Sequence, residues 1–324
     1  MRNILVTGGA GFIGSHLCET LIESDHSVVA MDDLSTGSLD NILHLDSTPK
    51  FQFVRETIMN SQVLNHLASD ADTIIHLAAA VGVKLIVENP VRTITTNIMG
   101  TEAVLSAANR YGCKVLIASS SEVYGKGVRV PFREDDDRLM GATSHSRWSY
   151  AASKAIDEFL GLAYHQQYDL PVVILRLFNT VGTRQIGRYG MVVPRLVRQA
   201  LRGQPLTVYG DGKQSRCFAD VVDVTAAIVQ LMDHPSASGQ IFNIGTTEEI
   251  SIHDLAERII TLSNSVSEIQ YIPYDQAYAP GFEDMLRRVP SLEKINRLIG
   301  YEPQYSLDGV LKRIIEYEKT LLNN

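Results

Sequence analysis

Three cysteines in 324 residues, Cys18, Cys113 and Cys217, are too few and too widely spaced for a disulfide framework, and the odd number leaves one unpaired. They are expected to be reduced packing thiols of a cytoplasmic protein. Long apolar runs are missing as well: none approaches the roughly 18 residues of a spanning helix. The sequence enters "RNILVTGG" without a charged leader and cleavage site, so neither a membrane nor export is expected. Low-complexity tracts and internal repeats are also missing. So is any excess of basic residues, since 29 lysines and arginines against 37 aspartates and glutamates give a formal charge of -8. That balance disfavours nucleic acid or an anionic membrane as the main partner, while leaving room for a local basic pocket. Arg188, Arg195, Arg198 and Arg202 lack interleaved aromatics and read as the solvated face of one amphipathic helix, with at most one near a ligand. The nine histidines lack metal-ligand spacing, so no metal is expected, and His76 reads as a satisfied residue at a strand end.

What is present is an alternation. Short β-branched runs recur at "NILVTG", "SVVAMDD", "FQFV", "TIIHLAA", "KVLIASS" and "PVVILRLF", with helical patterns between them. This predicts an α/β fold, a doubly wound parallel sheet covered by helices. After about Asn179 the texture changes. "YGMVVPRLVRQALRG" predicts a helix, "PLTVYGDGKQ" a short strand and turn, and "SIHDLAERIITL" a helix capped by Ser251. "GQIFNIG" at 239–245 predicts one more strand. The expected organisation is therefore 1–178 as a nucleotide-binding domain with a returning strand near 239–245, and 179–324 as an interleaved, smaller α/β substrate lobe.

"ILVTGGAGFIGSHL" places Gly8, Gly11 and Gly14 where a strand turns into a helix. Glycines there let backbone approach a pyrophosphate, and the helix N-terminus offers it free N–H groups, as in a Rossmann-type fold. Eighteen residues on, a strand ends with Asp32 and Asp33, whose carboxylates suit ribose hydroxyls and repel a 2′-phosphate. The expected cofactor is NAD rather than NADP.

Tyr150 and Lys154 lie one helical turn apart and can share a cleft. A free phenol titrates near ~10, and a neighbouring ammonium favours its deprotonation, which makes a proton acceptor for a sugar hydroxyl. "KVLIASSSEVYG" ends a strand with hydroxyls at the carboxyl edge of the sheet, so Ser120 can bond the same hydroxyl.

With these motifs the chain resembles the extended short-chain dehydrogenase/reductases that act on nucleotide sugars. The resemblance runs from "ILVTGGAGFIG" through "DTIIHLAA", "TNIMGTE", "SSSEVYG", "YAASK" and "RLFNTVG" to "VYGDGKQSRCFADVVDV" and "INRLIGYEP". It implies a bound NAD that takes hydride from sugar C4, with Ser120, Tyr150 and Lys154 as the catalytic triad and Asn97 as fourth member of the polar set. Phe12, Ile13 and Ala78 join the cofactor-binding residues by the same resemblance. Asn179, Arg216 and one or both of Arg287 and Arg288 match positions that contact the nucleotide or its phosphates. The resemblance also implies a homodimer built on helices at about 90–110 and 148–168. One departure is Thr57, where the family usually has an acidic residue at the adenine.

Oxidation at C4 is shared by 4-epimerases, 4,6-dehydratases and decarboxylases. Epimerases usually carry a small residue at the position of Glu122, and dehydratases an Asp-Glu pair; here the pair is Ser121-Glu122. This resembles the UDP-glucuronate decarboxylases, as do the "SRWSYAASK" lead-in and "KQSRCFADVVD". In such an enzyme the C4 ketone makes the C6 carboxylate a β-keto acid that loses carbon dioxide. Ser121 and Glu122 would orient the carboxylate region, and Arg216 would stabilise charge or deliver a proton. A glutamate facing a carboxylate is either ionised and repulsive or protonated, and both states stay open at this point. "FNTVGTRQIGRYGMVVPRL" has the shorter form of many 4-epimerases, so a UDP-sugar 4-epimerase is the second reading and a 4,6-dehydratase the third. A non-enzymatic NAD-sensing protein is the reading from a different class, against which the intact triad argues. Trp148 reads as a packing residue, and the acidic run Glu134 to Asp137 as a solvated loop able to order over the site.

Overall fold

The six β-branched runs all become strands of one parallel sheet, whose interior strands are buried on both faces, as their unbroken apolar character requires. The structure is a computed structural model that describes residues 1–81, 89–127, 129–187, 191–277, 283 and 285–323. Its strands are β1 (Asn3–Thr7), β2 (Ser27–Met31), β3 (Phe51–Val54), β4 (Thr73–His76), β5 (Lys114–Ser120), β6 (Val172–Leu177) and β7 (Thr180–Val181). The chain continues through β8 (Leu206–Tyr209), β9 (Ser215–Cys217), β10 (Ala219–Asp220), β11 (Gln240–Ile244), β12 (Glu249–Ser251), β13 (Ile269–Ile272) and β14 (Arg287–Arg288). The seven-stranded sheet has the order β11-β6-β5-β4-β1-β2-β3. The run at 240–244 returns to pair in parallel with β6, Ile241 opposite Ile174 and Ile244 opposite Leu177. Strand order reverses between β1 and β4, and such a switch point opens a crevice at the carboxyl ends of the strands.

Helices cover both faces. On one, Phe12–Glu23 and Val221–Asp233 enclose Val6, Leu17, Val173, Ile228 and Phe242. On the other, Ser61–Ser69, Pro90–Tyr111 and Trp148–Tyr168 enclose Leu5, Ile74, Val104, Ile117 and Ile174. A separate apolar cluster of Val193, Leu196, Leu206, Leu255, Ile259 and Leu311 joins the helices Val192–Leu201, Ile252–Ser263 and Leu307–Asn323. Ser251 caps the second of these, its Oγ accepting from Asp254 N at 3.0 Å. Trp148 is buried with Val123, Tyr124 and Phe132, and the three cysteines are buried and free. Among the described residues no helix is long and apolar enough to cross a membrane.

Two sequence expectations need correction. Of the arginine series, only Arg202 is solvated; Arg188 lies outside the described residues. Arg198 pairs with buried Glu318 at 2.7 and 2.8 Å, and Arg195 lies over the Tyr209 ring at 4.1 Å while donating to Thr207 O at 2.8 Å. The Val192–Leu201 helix is packed against β8 and the C-terminal helix, so its polar stripe meets protein rather than water. The acidic run does not order over the main crevice either. Glu134 accepts from Asn243 N at 2.9 Å, and its carbonyl accepts from Arg176 at 3.0 Å, which fastens the run to the β11 side of the sheet.

Candidate active site

A cleft of about 720 Å³ opens at the switch point. Gly8, Gly11, Phe12, Ile13 and Gly14 form one wall with Asp32, Asp33 and Ala78. Gly8 has φ +73°, and a Cβ on it would lie 2.8 Å from Ala78 N; a Cβ on Gly14 would lie 2.1 Å from Gly8 O. The glycines are required by contact as well as by conformation. Asp32 is buried and accepts from Ala10 N and Leu34 N at 3.1 and 2.8 Å, so its carboxylate is fixed beside the loop. Burial raises its pKa, against the two backbone donors. At the position of the usual adenine-side acid stands Thr57. Its neighbour Glu56 also lines the cleft, but spends its carboxylate on Thr57 N and Asn60 Nδ2, at 2.8 and 2.9 Å.

The opposite wall is built from β5 and the Trp148–Tyr168 helix. β5 ends at Ser120, whose Oγ accepts from Glu122 N at 3.3 Å and so caps a 3₁₀ turn, Ser121–Tyr124. That cap turns Ser121 and Glu122 into the cleft beside Tyr150 and Lys154. Burial pushes the Tyr150 phenol well above its ordinary range, and Glu122 and Asp157 push it further; the Ser120 hydroxyl and Arg288 oppose them. Lys154 Nζ donates to Asp157 Oδ2 at 2.8 Å. Asn97 stands behind the wall, its Oδ1 accepting from Ala80 N at 2.8 Å and its Nδ2 donating to Ser153 Oγ at 3.1 Å. Asn179 lines the cleft and donates to Cys217 O at 3.3 Å.

Glu122 is the centre of a buried charge cluster. Arg147 donates to its Oε2, Arg288 approaches Oε1 at 2.8 Å, and Arg216 adds a third positive charge nearby. Burial alone would raise its pKa, but the three guanidiniums overcome this and bring it down to about 2. In this cleft Glu122 is held ionised by its arginines. The two candidate arginines at 287–288 separate. Arg288 lines the cleft, whereas Arg287 is exposed and pairs with Glu249 at 2.7 and 2.8 Å. They occupy successive positions of β14, opposite Ser215 and Arg216, and successive strand side chains face opposite ways. Sequence reasoning noticed Arg147 only as part of a lead-in. Its i, i+3 offset from Tyr150 at the start of the same helix was the available signal.

NAD fits this architecture: a glycine cradle that admits no side chain, the amino end of the Phe12–Glu23 helix, and a fixed Asp32 carboxylate that rejects a 2′-phosphate.

Residues 5–314 match a family model described as GDP-mannose 4,6 dehydratase. A UDP-N-acetyl-alpha-D-glucosaminuronate decarboxylase of Bacillus cytotoxicus is 42% identical over 324 residues, covering 100% of this chain and 99% of that one. UDP-glucuronic acid decarboxylase 1 of Arabidopsis thaliana is 35% identical over 99% of this chain and 71% of its own length. Among solved structures, the UDP-glucuronic acid 4-epimerase of Bacillus cereus, in complex with UDP-glucuronic acid and NAD, is 33% identical with a TM-score of 0.89, covering 98% of this chain and 99% of that one. From the glycine cradle to the Ser120, Tyr150 and Lys154 wall and across these matches, the chain belongs to the GDP-mannose 4,6 dehydratase family, among the extended short-chain dehydrogenase/reductases that act on nucleotide sugars, near their decarboxylase branch.

Proposed function

We propose that this protein is an NAD-dependent decarboxylase of a UDP-hexuronate that works through a C4-keto sugar, with residues 1–178 holding the cofactor and 179–324 gripping the nucleotide. The observation that carries this reading is the cluster of Arg147, Arg288 and Arg216 around one ionised Glu122, beside Tyr150. A sugar carboxylate entering there meets three guanidiniums and one carboxylate. Guanidinium forks suit the planar geometry of a carboxylate.

Tyr150 takes the proton of the C4 hydroxyl, and the Ser120 hydroxyl bonds the same oxygen and keeps it oriented. NAD+, held by Gly8, Gly11, Gly14 and Asp32 with Phe12, Ile13, Ala78 and Lys154, supplies the hydride acceptor at C4 and the means of returning the hydride. Once C4 is a ketone, the C6 carboxylate is a β-keto acid, and carbon dioxide departs as the bonding electrons pass into the enolate. Arg288 and Arg216 stabilise that enolate charge. Glu122, ionised, holds Arg147 and Arg288 in place and does not itself donate the proton at this stage. Arg288 thus joins Arg216 in the role that the sequence had suggested for Arg216 alone.

The relative with 42% identity is named for the N-acetylated uronate and the 35% relative for UDP-glucuronate, so UDP-N-acetylglucosaminuronate is to be tried before UDP-glucuronate. The similarity to a UDP-glucuronic acid 4-epimerase favours 4-epimerisation as the second reading. Each sugar, with UDP-glucose and UDP-N-acetylglucosamine as controls, is offered with NAD+ and followed by NMR. Loss of the C6 carboxylate supports decarboxylation; a galacto-configured product with every carbon retained refutes it in favour of the epimerase.

The protein is further proposed to be a cytoplasmic homodimer. Ala152, Ile156, Phe159 and Ala163 form an exposed stripe on the Trp148–Tyr168 helix, and Val91, Ile94 and Met99 are exposed on the adjacent Pro90–Tyr111 helix. Facing copies would cover both stripes about a two-fold axis.

A further inference from the structure

Tyr150, Lys154 and Asp157 stand at i, i+4 and i+7 of one helix, so their side chains share a face. The Lys154 and Asp157 side chains are 3% and 0% exposed, which makes theirs a fully buried ion pair. A polar path runs from beneath the glycine loop to Thr101, in the neighbourhood of the same carboxylate. Ala78 N donates to Thr7 Oγ1 at 3.3 Å, Thr7 Oγ1 meets His76 Nδ1 at 2.8 Å, and His76 Nε2 meets Thr101 Oγ1 at 3.1 Å. Burial, with the Lys154 charge nearby, keeps His76 neutral down to about 3. One proton arrangement satisfies the path: Thr7 donates to Nδ1 and Nε2–H donates to Thr101. Burial raises the Asp157 pKa, and the Lys154 charge opposes it, with a smaller contribution from Thr101.

We propose that Asp157 is a positioning residue for the reaction: its buried carboxylate holds the Lys154 side chain in place in the core and sets the pH range in which the Tyr150–Lys154 pair works. This rests on the roles given to Tyr150 and Lys154 above. A lysine so deeply buried needs a counter-charge, and Asp157 supplies it one turn beyond the residues that touch substrate. The other groups around the pair are Glu122 and Arg288, which stand beside Tyr150 in the cleft, with Arg147 paired to Glu122. Glu158 neighbours Asp157 on its own helix, β5 presents Ser119 and Ser120, β4 presents neutral His76, and the Pro90–Tyr111 helix presents Asn97 and Thr101.

A buried negative charge raises the titration of every neighbour, phenol and ammonium alike, and a neutral replacement lowers both. Because coupled groups titrate together, the whole pH–rate profile then moves to lower pH. A residue that only filled space would reduce stability and rate without moving either limb.

The test uses Asp157→Asn and Asp157→Ala in the full-length protein. NADH absorbance is followed through the first turnover across the neutral and alkaline range, with UDP-hexuronates and separately with UDP-glucose. Hydride transfer thus remains measurable even if the decarboxylase reading fails. Both variants are expected to displace both limbs downward by about one pH unit. Limbs that superimpose on wild type, or move upward, overturn the proposal. Failure of both variants to fold assigns the carboxylate to stability alone and overturns it equally; if one folds, its limbs decide.

Discussion

Replacing Glu122 by glutamine tests the charge cluster without altering its shape. The wild-type carboxylate titrates at about 2 in the folded protein against an ordinary 4.5. At about 1.4 kcal/mol per pH unit, this depression corresponds to about 3 kcal/mol of stability. The sign follows from the direction. The contribution is fully present above the ordinary carboxylate range and is lost as pH falls through the folded value. Glutamine leaves Arg147 and Arg288 buried without their counter-charge, and breaking a buried pair from one side costs about 3–5 kcal/mol, so the two routes agree. For a chain of 324 residues at about 2.1 cal/mol/K per residue, 3 kcal/mol lowers Tm by about 4–5 °C. Calorimetry of wild type and Glu122→Gln is expected to show this gap at neutral pH. By about pH 3 the gap shrinks to less than half, because wild-type Glu122 is then largely protonated in the unfolded state and increasingly so in the folded state. Equal melting at neutral pH, or a gap that does not change with pH, refutes the account of Glu122 as an ionised keystone.

Tyr150→Phe is expected to abolish turnover by more than about tenfold while leaving NAD+ and UDP binding by calorimetry near wild type, since it removes a proton acceptor and little bulk. Retained turnover would assign the base to another group. Phe159→Glu is expected to convert a dimer of about 72 kDa, twice the 35.8 kDa chain, into monomer by light scattering; a wild-type protein that is already monomeric at micromolar concentration refutes the proposed interface.

The sheet was legible because its interior strands are buried on both faces, so their apolar runs are uninterrupted and stand out between amphipathic helices. The glycine cradle was legible because Gly14 is constrained by Gly8 and Gly9 within one strand–turn–helix unit, although Gly8 itself is constrained by Leu77 and Ala78 just beyond β4. The wall opposite was legible only in part. Ser120, Tyr150 and Lys154 come from two local motifs, but the environment of Glu122 is assembled from β5, a helix start at Arg147 and a two-residue strand at Arg288, some 140 residues further along. No periodicity encodes such a meeting. The choice between Arg287 and Arg288 depended on the register of β14 against β9, which two residues are too few to reveal. The arginines of the Val192–Leu201 helix misled for the converse reason, since amphipathicity marks one buried face and says nothing of a second neighbour covering the polar one.

The late arrival of β11 has a consequence for the life of the chain before it is complete. Until residues 240–244 are available, β6 is an unpaired edge, a row of free backbone groups able to recruit another strand. Asn243 also bonds the Tyr124 hydroxyl at 2.7 Å and the Phe132 carbonyl at 2.9 Å, so the packing beneath the 3₁₀ turn waits for the same segment. During synthesis the glycine cradle is complete long before the wall that carries Ser120 and Tyr150 is braced. A chain arrested or cut near residue 178 would hold Ser120, Tyr150 and Lys154 and still present an open, aggregation-prone sheet.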